Sequence, residues 1–175
     1  MPIHAFVDES RRGKQYLMAV VRVAPRELSP LRRKMSALLL PGEREIHFKQ
    51  EKDSRRRKLV GQISSFTFTA TIYTSECGRL DEPARQACLA RLTEDLAELN
   101  AHRLVLDSRE GRDKLDRVTI KRTLDKCGSG PKLTYEHFDG PSEPLLWIAD
   151  VVAWCWGAGG SWRERLLPLI TQVEI

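Results

Sequence analysis

Apolar positions along this chain recur with two different periods, and the changes of period mark its elements. Residues 3–8, IHAFVD, read as a short strand, and SRRGK after it reads as a turn in which Gly13 can take a positive φ. Residues 15–23, QYLMAVVRV, form a continuous apolar run rich in β-branched side chains, the pattern of a central strand. So short a connection makes the two strands an antiparallel hairpin. Pro25 ends the second strand. Over 27–40, Leu28, Leu31, Met35, Leu38 and Leu39 fall at helical spacing, and Pro41-Gly42 stops that helix. EREIHFKQ, 43–50, has strand-like alternation at Ile46 and Phe48, and Asp53 or Ser54 can cap a basic helix that runs to about Ser65. FTFTATIYT, 66–74, alternates aromatic and Thr positions as a strand does.

The second half repeats a simpler rhythm. Residues 82–100 form a helix with Leu89, Leu92, Leu96 and Leu99 on one face and Pro83 in its first turn. HRLVLD, 102–107, is a short buried strand, and 110–127 is a charged amphipathic helix closed by Gly128. KLTYEHF, 132–138, is a strand, 142–157 the last long helix, and 161–171 a short closing helix. A hairpin followed by alternating strands and helices predicts an α/β fold, a mixed five-stranded sheet with helices on both faces, and a helical excursion around 26–65. No repeat or linker divides the chain, so 1–175 reads as one domain.

Composition narrows the function classes. Charged residues make up 30% of the 175 positions and hydrophobic ones 41%, which is the balance of a soluble globular protein. The longest apolar run, LLWIADVVAWCW at 145–156, is too short to span a bilayer and is interrupted by Asp150, so it reads as a core helix. The N-terminus lacks the basic and apolar segments of a signal peptide, and none of the four cysteines forms a C-x-x-C pair, which together predict reduced thiols in the cytoplasm. Charge is uneven: residues 1–87 hold 17 Lys and Arg against 10 Asp and Glu, whereas 88–175 hold 12 against 14. A basic half beside an acidic one is the pattern of a polyanion-facing surface next to an acidic site, or of a solvated surface with uneven charge.

Three acids stand out by position. Asp8 ends the first strand, and Asp107 ends the strand after the long helix. Asp150 lies on a helix face among Leu146, Trp147, Ala153 and Trp154. Each has an ordinary reading alone: a turn for Asp8, a helix cap for Asp107, an arginine partner for Asp150. Together they read as a cluster, because strand ends on one sheet edge face one crevice and a helix across that edge can add a third acid. An ionised carboxylate among apolar groups is costly unless it is paired or metal-bound. Carboxylates without soft ligands suit the hard cations Mg²⁺ or Mn²⁺, and two such ions about 3.5–4 Å apart can activate water and stabilise a leaving oxygen in phosphodiester cleavage.

FVDES at 6–10, LVLDS at 104–108 and PLLWIADVVAW at 144–154, with EIHFK at 45–49 between them, resemble the ribonuclease H-like superfamily and, within it, the domain-of-unknown-function family 3800. The resemblance spans nearly the whole chain, and the strand–helix order fits it. It implies a ribonuclease H-like fold and nuclease chemistry in which Asp8, Asp107 and Asp150 bind metal. Glu45, in the matching EIHFK segment, and Glu9, in F-x-D-E-S, are further candidates, although Glu9 should point to the opposite sheet face from Asp8. Arg11 stands where a Gly commonly follows D-E-S, and Trp147 stands where the last motif has Gln. Neither change removes an acid.

Basic groups complete the picture. His47, Lys49 and His137 can serve as proton shuttles or phosphate contacts, or simply as strand residues. KDSRRRK, 52–58, is the densest basic patch, so Arg55, Arg56, Arg57 and Lys58 either follow a nucleic-acid backbone or form a solvated helix face. A PIN-like nuclease would run from its first acid strand into a helix, not into a second strand. A haloacid-dehalogenase-type phosphatase would need an Asp at position 10, which is Ser. The remaining rival is a non-catalytic ribonuclease H-like module that binds nucleic acid or a protein partner.

Overall fold

A computed structural model describes residues 2–128 and 132–175. One six-stranded sheet organises them, in the order β5-β4-β1-β2-β3-β6. β1 (His4–Arg12) and β2 (Gln15–Val23) form the expected antiparallel hairpin, turning at Gly13 with φ +58°. β3 (Thr69–Glu76) pairs antiparallel with β2. On the other side β4 (Arg103–Asp107) and then β5 (Thr134–Phe138) add in parallel. The sixth strand, β6 (Ile170–Glu174), runs parallel to β3.

Helices cover both faces. α1 (Pro25–Ser36), α2 (Asp53–Ile63) and α5 (Pro144–Ala158) bury one face with Phe6, Leu17, Ala19, Val21, Ile72 and Val105. α3 (Glu82–Glu98) and α4 (Asp113–Lys126) bury the other with Ala5, Val7, Met18, Val20, Leu104 and Leu106. The period-2 alternation of strands thus sorts even and odd residues of β1 to different cores. α1 and α2 occupy the excursion between the paired strands β2 and β3. α5 lies across β1 and β2. Its start is fixed by Pro144 and by Glu143, whose carboxylate accepts the Leu145 N–H at 3.1 Å and binds Arg32 of α1 at 2.8 Å. No helix among the described residues is long and apolar enough to cross a membrane, and the four cysteines are free thiols.

Three expectations are corrected. β1 does not end at Asp8: the hairpin ladder with β2 continues through Glu9, Ser10 and Arg11 to Arg12, while the ladder with β4 is recorded only to Val7–Leu106. Asp8 therefore sits where β1 leaves its parallel neighbour. Residues 43–50 are not a strand but a loop closing in a 3-10 turn at Phe48–Gln50, because Ile46 and Phe48 are both buried in the core on the α5 side and the Phe48 N–H is taken by the Asp150 carboxylate instead of a ladder partner. The tail forms a five-residue helix, α6 (Gly160–Glu164), a 3-10 turn and then β6, because Pro168 breaks the helix and Ile170, Thr171 and Val173 suit a strand. The strand count is six instead of five for that reason.

A buried ionic network ties the α3/α4 face together. Arg85 of α3, with a side chain 4% exposed, binds Asp116 of α4 through two hydrogen bonds of 3.1 and 2.7 Å and also pairs with Glu9 of β1. Tyr16 donates to the same Glu9, and His137 of β5 lies 3.1 Å from Asp116. Removing one member of such a set strands the others in low dielectric. Arg85→Met is expected to lower unfolding free energy by about 3–5 kcal/mol in urea denaturation; a loss below about 1 kcal/mol would show that the network is not needed for stability.

Candidate active site

Register places two of the predicted acids side by side. Val7 pairs with Leu106 across β1 and β4, so the next position on each strand is Asp8 and Asp107. Alternation turns both toward the α5 face, the side to which Phe6 and Val105 contribute. Asp150 reaches the same place from the middle of α5. Asp8, Asp107, Asp150 and Glu45 line one cleft of about 280 Å³ together with His47, Lys49, Arg109 and Trp147.

The loop at 45–50 forms the cleft's other wall and is fixed from several sides. The Phe48 N–H donates to Asp150 Oδ2 at 2.9 Å. The Phe48 ring packs edge-to-face on Trp154 and Trp162 at centroid distances of 5.2 and 6.5 Å. Arg56 donates to the Phe48 and Lys49 carbonyls at 2.9 and 2.6 Å and stacks over Trp154. Glu45 pairs with His47 at 2.8 Å, and its carboxylate approaches Gly140 so closely that a Cβ there would collide with it. Trp147 donates to the Gly140 carbonyl at 2.8 Å and so holds the opposite rim.

Electrostatics in the cleft are unfavourable to a full set of charges. Burial, reinforced by Asp150, raises the Asp8 carboxyl to about 8. Burial also raises Asp150, with Asp107 adding to the effect, and raises Asp107, with Glu45 adding to it. Two protein groups oppose this at Asp8: the Glu9 N–H, 2.7 Å from Oδ1, and the Arg109 Nη2, 3.3 Å from it. The donor set is therefore all hard oxygen and short of positive charge, which is the chemistry a divalent cation fits.

Several other candidates lie elsewhere. Glu9 points to the opposite sheet face, as alternation requires, and is held by Arg85, Tyr16 and Arg109. His137 is on that face too, with a side chain only 2% exposed, and does not join the cleft. Among the described residues, the group that brings one ligand atom each within 4.8 Å of the others is Asp113, Asp116 and His137 on that far side. Both Asp116 oxygens are already bonded to Arg85, and Asp113 accepts from Ser108 Oγ and the Arg109 N–H, so these acids have protein partners. In the basic patch, Arg55 donates to the Leu38 carbonyl and pairs with Glu43, and Arg56 serves the 45–50 loop. Arg57 and Lys58 remain exposed. Sequence reasoning missed Arg109; its only signal was its place two residues after Asp107.

The raised carboxyls fix a pH dependence. Between the ordinary carboxylate value near 4 and about 8, folded Asp8 retains a proton that the unfolded chain has released, so its contribution to stability falls as pH rises. In chelator, the wild type is expected to lose melting temperature relative to Asp8→Asn as pH goes from 5 to 8, and added Mg²⁺ should reduce that loss. Parallel melting curves for the two proteins at all pH values would contradict the raised Asp8.

No protein-family model and no curated protein matches this chain. Among solved structures, a chain in the structure of the PCNA:RNase HII complex from Archaeoglobus fulgidus is similar, with a TM-score of 0.55 and 16% sequence identity over 96% of this chain and 75% of that one. The likeness is one of fold: the hairpin start, the parallel strands that follow and the flanking helices form a ribonuclease H-like α/β architecture.

Proposed function

We propose that this protein is a metal-dependent nuclease that hydrolyses phosphodiester bonds in nucleic acid. The observation that carries the reading is the meeting of Asp8, Asp107 and Asp150, from two strands and a helix, in one cleft of a ribonuclease H-like fold. Asp8, Asp107 and Asp150 would hold Mg²⁺ or Mn²⁺, and Glu45 stands by as a further ligand or as a base. Such ions supply an activated water and neutralise charge on the leaving oxygen. The chain's own groups do the rest. Lys49 and His47 are exposed at the mouth of the cleft, where they can bind a phosphate and move a proton. Arg57 and Lys58 extend the basic surface for the backbone, while Arg55 and Arg56 support it from below. The motifs FVDES, LVLDS and PLLWIADVVAW are what this reading takes as kinship with the domain-of-unknown-function family 3800.

A second reading, a module that binds nucleic acid or protein without cleaving it, is favoured by one observation: Asp8 already has a protein cation, Arg109. Cleavage separates the two. Wild type is expected to cut at least one of single-stranded, double-stranded or hybrid DNA and RNA in Mg²⁺ or Mn²⁺ and to stop in chelator. Asp150→Asn keeps the side-chain shape and an acceptor for the Phe48 N–H. It is expected to lower cleavage by more than about a hundredfold while the protein still melts cooperatively. Absence of cleavage by wild type on every substrate would favour the binding module, and full activity in Asp150→Asn would remove Asp150 from the chemistry.

A further inference from the structure

Arg109 is a built feature of the cleft. Its backbone is pinned on both sides: the Ser108 N–H donates to the Phe138 carbonyl at 2.7 Å and the Arg109 N–H to Asp113 Oδ1 at 2.8 Å, while the Arg109 carbonyl accepts from the Arg112 N–H at 3.0 Å. Its guanidinium straddles the end of the β1–β4 ladder. Nη1 binds Glu9 Oε1 at 2.7 Å and Nη2 binds Asp8 Oδ1 at 3.3 Å. Glu9 is itself a rigid anchor, because Tyr16 and Arg85 both bind its other oxygen, Oε2, and Arg85 is locked to Asp116. The closer contact is thus to the buried acid on the far face and the looser one to the acid of the cleft. With 43% of its side chain exposed, Arg109 has open solvent to move into.

We propose that Arg109 is an internal counter-cation of the acid cleft, aimed by Glu9, which competes with a divalent cation for Asp8. The inference rests on the proposed metal site. It gives the second acid of the D-E pair a task distinct from coordination: Glu9 holds the arginine that screens the first acid. A guanidinium bonded to Asp8 Oδ1 and a dication on the same carboxylate would bring +1 and +2 charges within a few ångströms of each other, in a cleft only partly open to water. Their repulsion weakens cation binding, and a cation that does bind turns Nη2 away from Asp8 while Nη1 stays on Glu9. Arg109 acts here through Asp8 and is a positioning residue.

Mn²⁺ titration by isothermal calorimetry, at one pH and ionic strength, tests the idea on wild type, Arg109→Ala, Arg109→Gln, Asp8→Asn and Asp150→Asn, with folding checked by circular dichroism. Arg109→Ala and Arg109→Gln are expected to bind Mn²⁺ at least about tenfold more tightly than wild type, which is what a +1/+2 repulsion across about 5 Å amounts to even at the dielectric of water. Asp8→Asn and Asp150→Asn are expected to lose binding. Equal or weaker Mn²⁺ affinity in both Arg109 variants, with binding still lost in the Asp variants, would overturn the counter-cation and leave the metal site standing. Wild-type affinity in the Asp variants, or no binding by any protein, would overturn both.

Discussion

The constraint on which this structure turns is the side-by-side placement of like charges at the point where β1 parts from β4. Once Val7 pairs with Leu106, the chain has no choice about Asp8 and Asp107: they are neighbours, on one face, under a helix that brings Asp150. Burial, with repulsion from neighbouring acids adding to it, then holds all three carboxyls above their ordinary range. A fold that needed only stability would place apolar groups here, as it does at Phe6 and Val105 one step earlier on the same strands. The surrounding structure tolerates the arrangement by providing partial answers: one backbone N–H to Asp8, one to Asp150, and a single arginine.

The two faces of the sheet divide the work. On the α3/α4 side, acids and bases are matched: Glu9, Arg85, Asp116 and His137 close on one another with their side chains largely shielded from water. On the α5 side the carboxylates outnumber their partners. Adjacent residues of one strand, Asp8 and Glu9, therefore meet opposite fates, and Arg109 reaches over the end of the ladder to touch both. The aromatic packing of Phe48, Trp154 and Trp162 has a related role. It fixes the 45–50 loop against α5, so that the wall carrying Glu45, His47 and Lys49 is rigid although it belongs to no strand or long helix.

Much of this was legible in the chain. Period-2 alternation put Asp8 and Asp107 at strand positions and sent Glu9 to the other face; an acid on an otherwise apolar helix face marked Asp150. What was not legible depends on partners distant in sequence. Whether Ile46 and Phe48 become a strand is decided by what receives them, and here that is the α5-side core and the Asp150 carboxylate, not a ladder edge. β6 exists because β3 offers its edge to Ile170–Glu174, a pairing about 100 residues apart. Arg109 and Arg85 find Asp8 and Glu9 across 101 and 76 residues, and nothing local distinguishes them from the many other arginines of a basic chain. The basic run at 52–58 divides for the same reason: Arg55 and Arg56 donate to carbonyls that only the folded chain presents to them, while Arg57 and Lys58 stay exposed.

On the proposed function, a divalent cation is held by the α5-side acids and not by the matched set on the other face. Anomalous diffraction from crystals soaked in Mn²⁺ tests it most directly. One or two anomalous peaks are expected about 2.1 Å from carboxylate oxygens of Asp8, Asp107 and Asp150. Peaks at Asp113, Asp116 and His137 instead, or a cleft without anomalous signal at saturating Mn²⁺, would contradict it.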